Sequence, residues 1–112
     1  MIPEDLIPRA SLRLERGGQV VLAEREARLL EGISRTGSLK EGATHAGVSY
    51  RTAWACVQAM ERALGRPVVT SRAGGPGGGH TALTDEARAL LRTYDELSRR
   101  LEEDLRAVTS TA

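Results

Sequence analysis

Residues 37–65 read GSLKEGATHAGVSYRTAWACVQAMERALG, and this stretch decides the fold. Ser38 and Glu41 have the spacing of a capping box, in which the serine hydroxyl accepts from the Glu41 amide and the glutamate carboxylate accepts from the serine amide. A short helix is therefore predicted to begin at Leu39. It is predicted to end by Gly47, because glycine adopts the left-handed conformation that other residues resist.

Ser49 is the expected N-cap of a second helix, which continues to Leu64 and ends at Gly65. Two helices joined by so tight a turn need small or apolar residues where they approach each other. Such residues occur at Ala43, Gly47, Val48, Ala53 and Cys56. This spacing matches a helix-turn-helix over residues 39–64.

The flanking segments extend this motif on both sides. Residues 11–22, SLRLERGGQVVL, alternate in polarity around two glycines and predict a β-hairpin. From residue 24 the apolar spacing becomes helical, which predicts a first helix over residues 24–35 and a three-helix core over residues 24–64. Two short β-like segments then flank a glycine-rich stretch, so residues 67–83 are predicted to form a wing after the helix-turn-helix.

The glycine-rich stretch at residues 73–80, AGGPGGGH, admits two interpretations. A phosphate-binding loop of the Walker kind closes with Gly-Lys-Ser/Thr and enters a helix. Here the lysine is missing, and the run leads into the β-like segment of residues 81–83. The tip of a hairpin is therefore the preferred interpretation.

A long final helix is predicted over residues 84–108, opening with Asp85 and Glu86, which complement the helix dipole. Its apolar residues recur at helical spacing: Ala87, Leu90, Leu91, Tyr94, Leu97, Leu101, Leu105 and Val108. Such a helix extends past a small domain and exposes a leucine stripe, so we expect a homodimer. The alternative is a helix that folds back on the N-terminal hairpin of its own chain.

The predicted fold class is mainly α with a small β component. Residues 1–112 are expected to form a single winged helix-turn-helix domain with an N-terminal β-hairpin and a long C-terminal dimerisation helix. The chain has 112 residues, is 40% hydrophobic and contains no Phe, so its core must rely on Leu, Val and Ala. A large cofactor cavity is not expected in such a core.

The cysteine count and the apolar runs limit the location of the protein. Cys56 is the single cysteine, which excludes a disulfide within the chain. No apolar run approaches the length of a membrane span. The first residues include Glu4 and Asp5 and lack the pattern of a signal peptide, so we expect a cytoplasmic protein.

The distribution of charge is more informative than the net charge of +1. Residues 35–82 carry six basic and two acidic groups, whereas residues 1–34 and 83–112 have net charges of −1 and −2. Positive potential therefore coincides with the helix-turn-helix and the wing, as expected of a surface for nucleic acid. Every basic residue except Lys40 is Arg, which suits phosphate and guanine edges, although genomic base composition would give the same bias.

The second helix of the motif carries the candidate DNA-reading residues. A rotation of about 100° per residue places Ala53, Val57, Met60 and Leu64 on one side and Arg51, Ala55, Gln58 and Arg62 on the other. Arg51 suits guanine or phosphate and Gln58 suits adenine, while serine and threonine hydroxyls suit phosphates or base edges. In the wing, backbone amides and basic side chains are candidate phosphate contacts. The predicted DNA-binding residues are Ser49, Tyr50, Arg51, Thr52, Gln58, Arg62, Arg72 and His80.

The remaining reactive side chains give no catalytic arrangement. Trp54 is expected to pack against the first helix or the long helix, and His45 is expected to be a solvated helix residue without a metal-binding partner. Cys56 falls on the buried side of its helix, so a Cys/His pair is not expected. We therefore expect no enzyme activity, no metal and no cofactor.

Several of these motifs occur together in a known family. The segments Ala46–Trp54, Arg72–Gly79 and Leu83-Thr84, with Gly37-Ser38-Leu39, Ala43 and Met60, resemble the N-terminal DNA-binding domain of ModE-type molybdate-responsive regulators, which is related to the LysR-type winged helix. The resemblance covers residues 11–108. It implies a dimeric bacterial transcription factor that binds double-stranded DNA at an operator near genes of molybdate transport or molybdoenzymes.

The chain departs from that family in two ways. Pro76 stands where the wing usually carries Lys, and family members commonly continue into a molybdate-binding module, whereas this sequence ends at residue 112. We therefore expect that molybdate sensing, if any, occurs through a separate protein, or that the response has been lost or replaced by another signal. The rival hypothesis is a winged-helix protein-interaction module without direct DNA binding, which the low net charge favours.

Overall fold

The structure is a computed structural model that describes residues 3–72 and 80–110, without the side chains of residues 72 and 110. The elements in chain order are β1 (Leu14–Arg16), β2 (Gln19–Leu22), α1 (Glu24–Thr36), α2 (Leu39–Ala46), α3 (Tyr50–Leu64), β3 (Val69–Arg72), β4 (His80–Leu83) and α4 (Asp85–Ser110). This order confirms the predicted winged helix-turn-helix with an N-terminal hairpin and a long C-terminal helix.

The N-terminal hairpin forms through a turn of two glycines. Gly17 and Gly18 have φ of +57° and +80°, as a two-residue hairpin turn of this kind requires. β1 is shorter than predicted, because its pairing begins at Leu14 opposite Leu22, the last residue of β2, with a register shift between Leu14 and Glu15. The preceding carbonyl of Leu12 instead accepts a 3.3 Å hydrogen bond from the Tyr94 hydroxyl of α4, which ties the N-terminal segment to the long helix.

The α2 N-terminus confirms half of the predicted capping box. The Ser38 hydroxyl accepts a 3.1 Å hydrogen bond from the Glu41 amide. The reciprocal half is wrong, because the Ser38 amide donates to the Thr36 hydroxyl at 3.2 Å and no longer needs the glutamate carboxylate. The helix ends as predicted at Gly47, which has φ of +72°.

One core joins all four helices to the hairpins. Its residues of at most 1% exposure include Leu22, Leu29, Leu30, Ile33, Ala53, Val57, Met60, Val68 and Ala87. Gly32 of α1 and Gly42 of α2 lie so close that a Cβ added to Gly32 would come within 2.7 Å of the Gly42 Cα. This contact between the two helices was not predicted from the sequence.

The wing strands pair antiparallel, from Val69 opposite Leu83 to Arg72 opposite His80. The glycine run at residues 73–79, and with it the predicted wing tip, lies outside the described residues. β3 begins two residues later than expected because Val68 is held in the core. Its amide donates to the Glu61 carboxylate at 3.0 Å, and its carbonyl accepts from the Thr84 amide at 3.0 Å.

The long helix begins where the sequence predicts. The Thr84 hydroxyl accepts a 3.2 Å hydrogen bond from the Ala87 amide, and α4 then extends over 26 residues to Ser110. The part of the chain described here measures 59 × 30 × 21 Å, because the far end of α4 projects from the core. None of the helices within residues 24–64 and 85–110 combines the length and the apolar character that crossing a membrane requires.

Candidate nucleic-acid interface

The two sides of α3 differ as the helical spacing predicts. Ala53, Val57 and Met60 are at most 1% exposed and pack into the core. Arg51, Ala55, Gln58 and Arg62 are all exposed on the opposite side. We call the side chains of Arg51, Gln58 and Arg62 the outer face of α3.

The polar groups of the outer face are available to an external partner. Within the described residues, the side chains of Arg51, Gln58 and Arg62 make no hydrogen bond or ion pair. Most of the other arginines whose side chains the structure describes pair with carboxylates, such as Arg28 with Glu24 at 2.7 Å. The outer face therefore presents two guanidinium groups and one amide that no other described residue engages, all suited to base edges or phosphates.

Ser49 and Thr52 are engaged with each other at the start of α3. The Ser49 hydroxyl accepts from the Thr52 amide at 3.0 Å, which confirms Ser49 as the N-cap, and it lies 3.0 Å from the Thr52 hydroxyl. Thr52 is half-buried and lines a groove of about 430 Å³ with Arg25 and Cys56. Thr52 therefore lies on the flank of α3 that faces the N-terminal hairpin, beside the outer face, because Arg62 lines the same groove.

Tyr50 and Trp54 lie on the other flank of α3. Their rings meet edge to face, with centroids 6.4 Å apart and planes at 86°. Both remain exposed, at 53% and 39%. Trp54 was expected to pack against α1 or α4; instead its indole lines a cleft with residues of α2 and the wing strands and stays 39% exposed.

A cleft of about 270 Å³ opens between this aromatic pair and the wing. We call it the wing cleft. Its lining residues are Ser38, Leu39, Lys40, Tyr50, Trp54, Ser71, His80 and Thr81. Of these residues, only Tyr50 and His80 were predicted from the sequence to bind DNA. Lys40, the only lysine of the chain, was not.

The wing is anchored to the turn between α1 and α2. The Thr81 amide donates a 2.9 Å hydrogen bond to the Gly37 carbonyl. The His80 imidazole lies directly against Gly37, in space that a Cβ there would occupy. Arg72 ends β3 opposite His80, and its side chain lies outside the described residues.

The remaining reactive side chains, His45 and Cys56, make contacts within the fold. His45 lies over Gly32, and its Nε2 is 3.5 Å from the Glu31 carboxylate. Burial raises the pKa of the Cys56 thiol, an effect that Arg25 opposes and Glu26 adds to. Within residues 3–72 and 80–110, no group of three or more His, Cys, Asp or Glu side chains has the geometry to hold a metal ion.

Comparison with known proteins assigns this arrangement to a family. Residues 24–88 match the family described as bacterial regulatory helix-turn-helix protein, lysR family. The match covers α1 to the first turn of α4, including the outer face and the wing. This chain belongs to the lysR family of bacterial regulatory helix-turn-helix proteins.

Three relatives of this lysR-family chain carry informative names. The molybdenum-pterin-binding protein MopB of Rhodobacter capsulatus is 47% identical over 81 residues, which cover 72% of this chain and 30% of MopB. The transcriptional regulator ModE of Haemophilus influenzae is 43% identical over 75 residues, covering 67% of this chain and 29% of that protein. The DNA-binding transcriptional dual regulator ModE of Escherichia coli is 36% identical over 74 residues, covering 66% and 28%.

These matches confirm the resemblance to ModE-type regulators and the prediction of a DNA-binding regulator of transcription. They favour that class over the protein-interaction module without DNA. The chain spans about a third of the length of the relatives it matches. The description of the family and the names of the two ModE relatives are those of regulators.

Proposed function

We propose that this lysR-family chain is a homodimeric, sequence-specific regulator that inserts α3 into the major groove of double-stranded DNA. The observation that carries this proposal is the outer face, where Arg51, Gln58 and Arg62 are exposed and make no pair within the described residues. Leaving two guanidinium groups without a carboxylate is expected where an anionic partner supplies the acceptors. A bacterial regulator of this kind works in the cytoplasm.

The predicted DNA-binding residues have different proposed roles. Arg51 and Gln58 read base edges, and Arg62 contacts the backbone further along α3. Ser49, Tyr50, Thr52 and, in the wing, Arg72 and His80 contact phosphates or sugar. Ser49 and Thr52 also hold each other through the N-cap, so their substitution alters both the helix start and the interface.

A link to molybdate or other oxyanion metabolism is part of the proposal. It is supported by the names of the relatives, which include regulators called ModE and a molybdenum-pterin-binding protein. We infer that the operator lies near genes for transport or use of such an anion. Genome-wide footprinting of the chain in its own host tests this, and footprints that avoid such genes contradict it.

Dimerisation is proposed through the far end of α4. Leu97 and Val108 lie on one face of the helix and are 39% and 71% exposed, with Leu101 between them. The charged residues of this half pair along the helix instead, as when Arg99 contacts Glu96 and Glu103. A second copy of α4 would cover the apolar face.

The dimer is tested by sedimentation of Leu97→Lys, which we expect to be monomeric. Ala89→Lys adds the same charge at an exposed position near the start of α4 and is expected to remain dimeric. A wild-type chain that sediments as a monomer at micromolar concentration contradicts this part of the proposal.

Binding is tested by selecting duplexes from a random pool and comparing the wild type with Arg51→Ala. A base-reading role predicts a changed sequence preference at one position of the selected site and a loss of about 1–3 kcal/mol. Loss of folding stability without a change of preference would contradict that role. The wild-type affinity should also fall steeply between about 50 and 200 mM salt, because several phosphate contacts release counterions.

A further inference from the structure

The wing cleft combines cationic, hydroxyl and aromatic groups. Lys40 is exposed at its edge, and Ser38, Ser71 and Thr81 contribute hydroxyl groups. The opposite wall is formed by Tyr50 and Trp54. None of the eight lining residues is acidic, so the cleft suits a group that is anionic at one end and apolar at the other.

The position of the cleft relates it to the outer face of α3. At about 100° per residue, Trp54 lies about 60° around the helix from Arg51. A helix in the major groove runs between the two sugar-phosphate backbones. A cleft beside α3 on the wing side therefore faces one backbone when the outer face meets the bases.

The groove on the other flank of α3 has a different character. It has a volume of about 430 Å³, and Arg25 and Arg62 are among its lining residues. It also contains the Glu26 carboxylate, which is 3.1 Å from the Arg25 guanidinium and neutralises it. No carboxylate lines the wing cleft among the described residues, so it is the better site for an anion.

We propose that the wing cleft binds one nucleotide of the DNA backbone. Lys40 and the cleft hydroxyls contact the phosphate, and the deoxyribose packs against the exposed edge of Trp54. The hydrogen bond from Thr81 to Gly37 fixes the width of the cleft by holding β4 beside the N-terminus of α2. This inference rests on the proposed function and adds Lys40, Ser71 and Trp54 to the interface.

The salt dependence of binding tests the phosphate contact. Each phosphate neutralised contributes about 0.9 to the slope of log affinity against log salt concentration. One such contact therefore raises the affinity at 0.15 M salt about fivefold relative to 1 M salt. Lys40→Ala is therefore expected to lower the slope by about 0.9 on a labelled short duplex of mixed sequence. Lys40→Arg should keep the wild-type slope, and so should Arg92→Ala, which removes an exposed charge outside the cleft.

Trp54 provides a second measurement, because it is the only tryptophan of the chain. Addition of the same duplex should shield its emission from acrylamide quenching. Shielding should be weaker in Lys40→Ala at equal saturation, because the phosphate no longer draws the backbone into the cleft.

The outcomes separate the two proposals. A protein that binds no duplex at any salt concentration refutes the proposed function, and this inference with it. Binding that depends on Arg51 but keeps the wild-type slope in Lys40→Ala overturns the cleft proposal alone. Shielding of Trp54 by polyglutamate but not by duplex also overturns it, because the cleft would then serve an acidic polypeptide.

Discussion

The Thr81 amide donates a 2.9 Å hydrogen bond to the Gly37 carbonyl, which joins the second wing strand to the turn before the helix-turn-helix. The neighbouring His80 imidazole fills the space beside the Gly37 Cα. Gly37 also ends α1 with φ of +72°. The orientation of the wing is thus set by a residue that is neither in the wing nor in α3.

Substitution of Gly37 is expected to disturb both the helix end and the wing. Gly37→Ala forces a residue with a side chain into the left-handed region, at a cost of about 1–2 kcal/mol. Its Cβ would also displace the His80 imidazole, which adds a further loss in the free energy of unfolding. Urea denaturation measures the total loss in the free energy of unfolding.

Gly47→Ala is the matched control, because Gly47 has the same φ of +72° but no atom within 4 Å of an added Cβ. Gly47→Ala should lose only the free energy that it costs to place a side chain in the left-handed backbone conformation. In a His80→Ala background, the excess loss at Gly37 should disappear. Equal losses for Gly37→Ala and Gly47→Ala would contradict the role assigned to the imidazole.

Gly32→Ala is expected to destabilise the protein although alanine favours helices. The helix preference gains about 1 kcal/mol, but the added Cβ would come within 2.7 Å of the Gly42 Cα and 2.8 Å of the His45 Cβ. The displacement of α1 from α2 should lower the free energy of unfolding by about 1–3 kcal/mol more than the helix preference of alanine raises it. Ser34→Ala, at an exposed position of α1, controls for propensity, and a Gly32→Ala variant with a higher urea midpoint than wild type would refute the prediction.

Local chemistry made much of this fold predictable from the sequence. The positions of Gly47 and Gly65 mark helix ends because each must have positive φ, and the spacing of Ala53, Val57 and Met60 marks the buried side of α3. The exposure of Arg51 and Gln58 follows from the same spacing. These features depend on residues within a few turns of one another.

Contacts between distant segments were not predictable in the same way. Trp54 faces the wing because β4 is anchored at Gly37, and no spacing within α3 encodes that anchor. The contribution of Lys40 to the wing cleft depends on the same tertiary contact. The glycines at 32 and 42 are a signal that sequence reasoning overlooked, since a glycine inside a helix often marks close packing.

Cys56 is expected to react slowly with thiol reagents in the folded protein. It is 5% exposed, and burial raises the pKa of its thiol, so little thiolate is present at neutral pH. Reaction with Ellman's reagent should be slow in buffer and stoichiometric in denaturing urea. The double variant Cys56→Ala/Ala55→Cys moves the thiol to an exposed neighbouring position and should react quickly. Rapid labelling of Cys56 in the native wild-type protein would contradict its assigned burial.

Asp95 of α4 is expected to give the protein a pH-dependent loss of stability. Desolvation raises the pKa of its carboxyl, and the Glu31 carboxylate of α1 raises it further. The folded state therefore binds the Asp95 proton more tightly than the unfolded state does. Its contribution to stability is most favourable below the ordinary aspartate pKa of about 3.9 and is lost as the pH rises through the folded value.

Asp95→Asn removes this titration and should raise the urea midpoint near neutral pH. The gain should be below about 1 kcal/mol, because Asp95 is exposed and solvent screens its repulsion from Glu31. The gain should shrink as the pH falls through the folded pKa, since wild-type Asp95 is then neutral as well.

Asp104→Asn makes the same change at another exposed position of α4 and controls for net charge and helix preference. A gain of equal size in acid and at neutral pH would show that the amide stabilises α4 by another route, whereas a loss at neutral pH would mean that the Asp95 carboxylate makes a favourable contact.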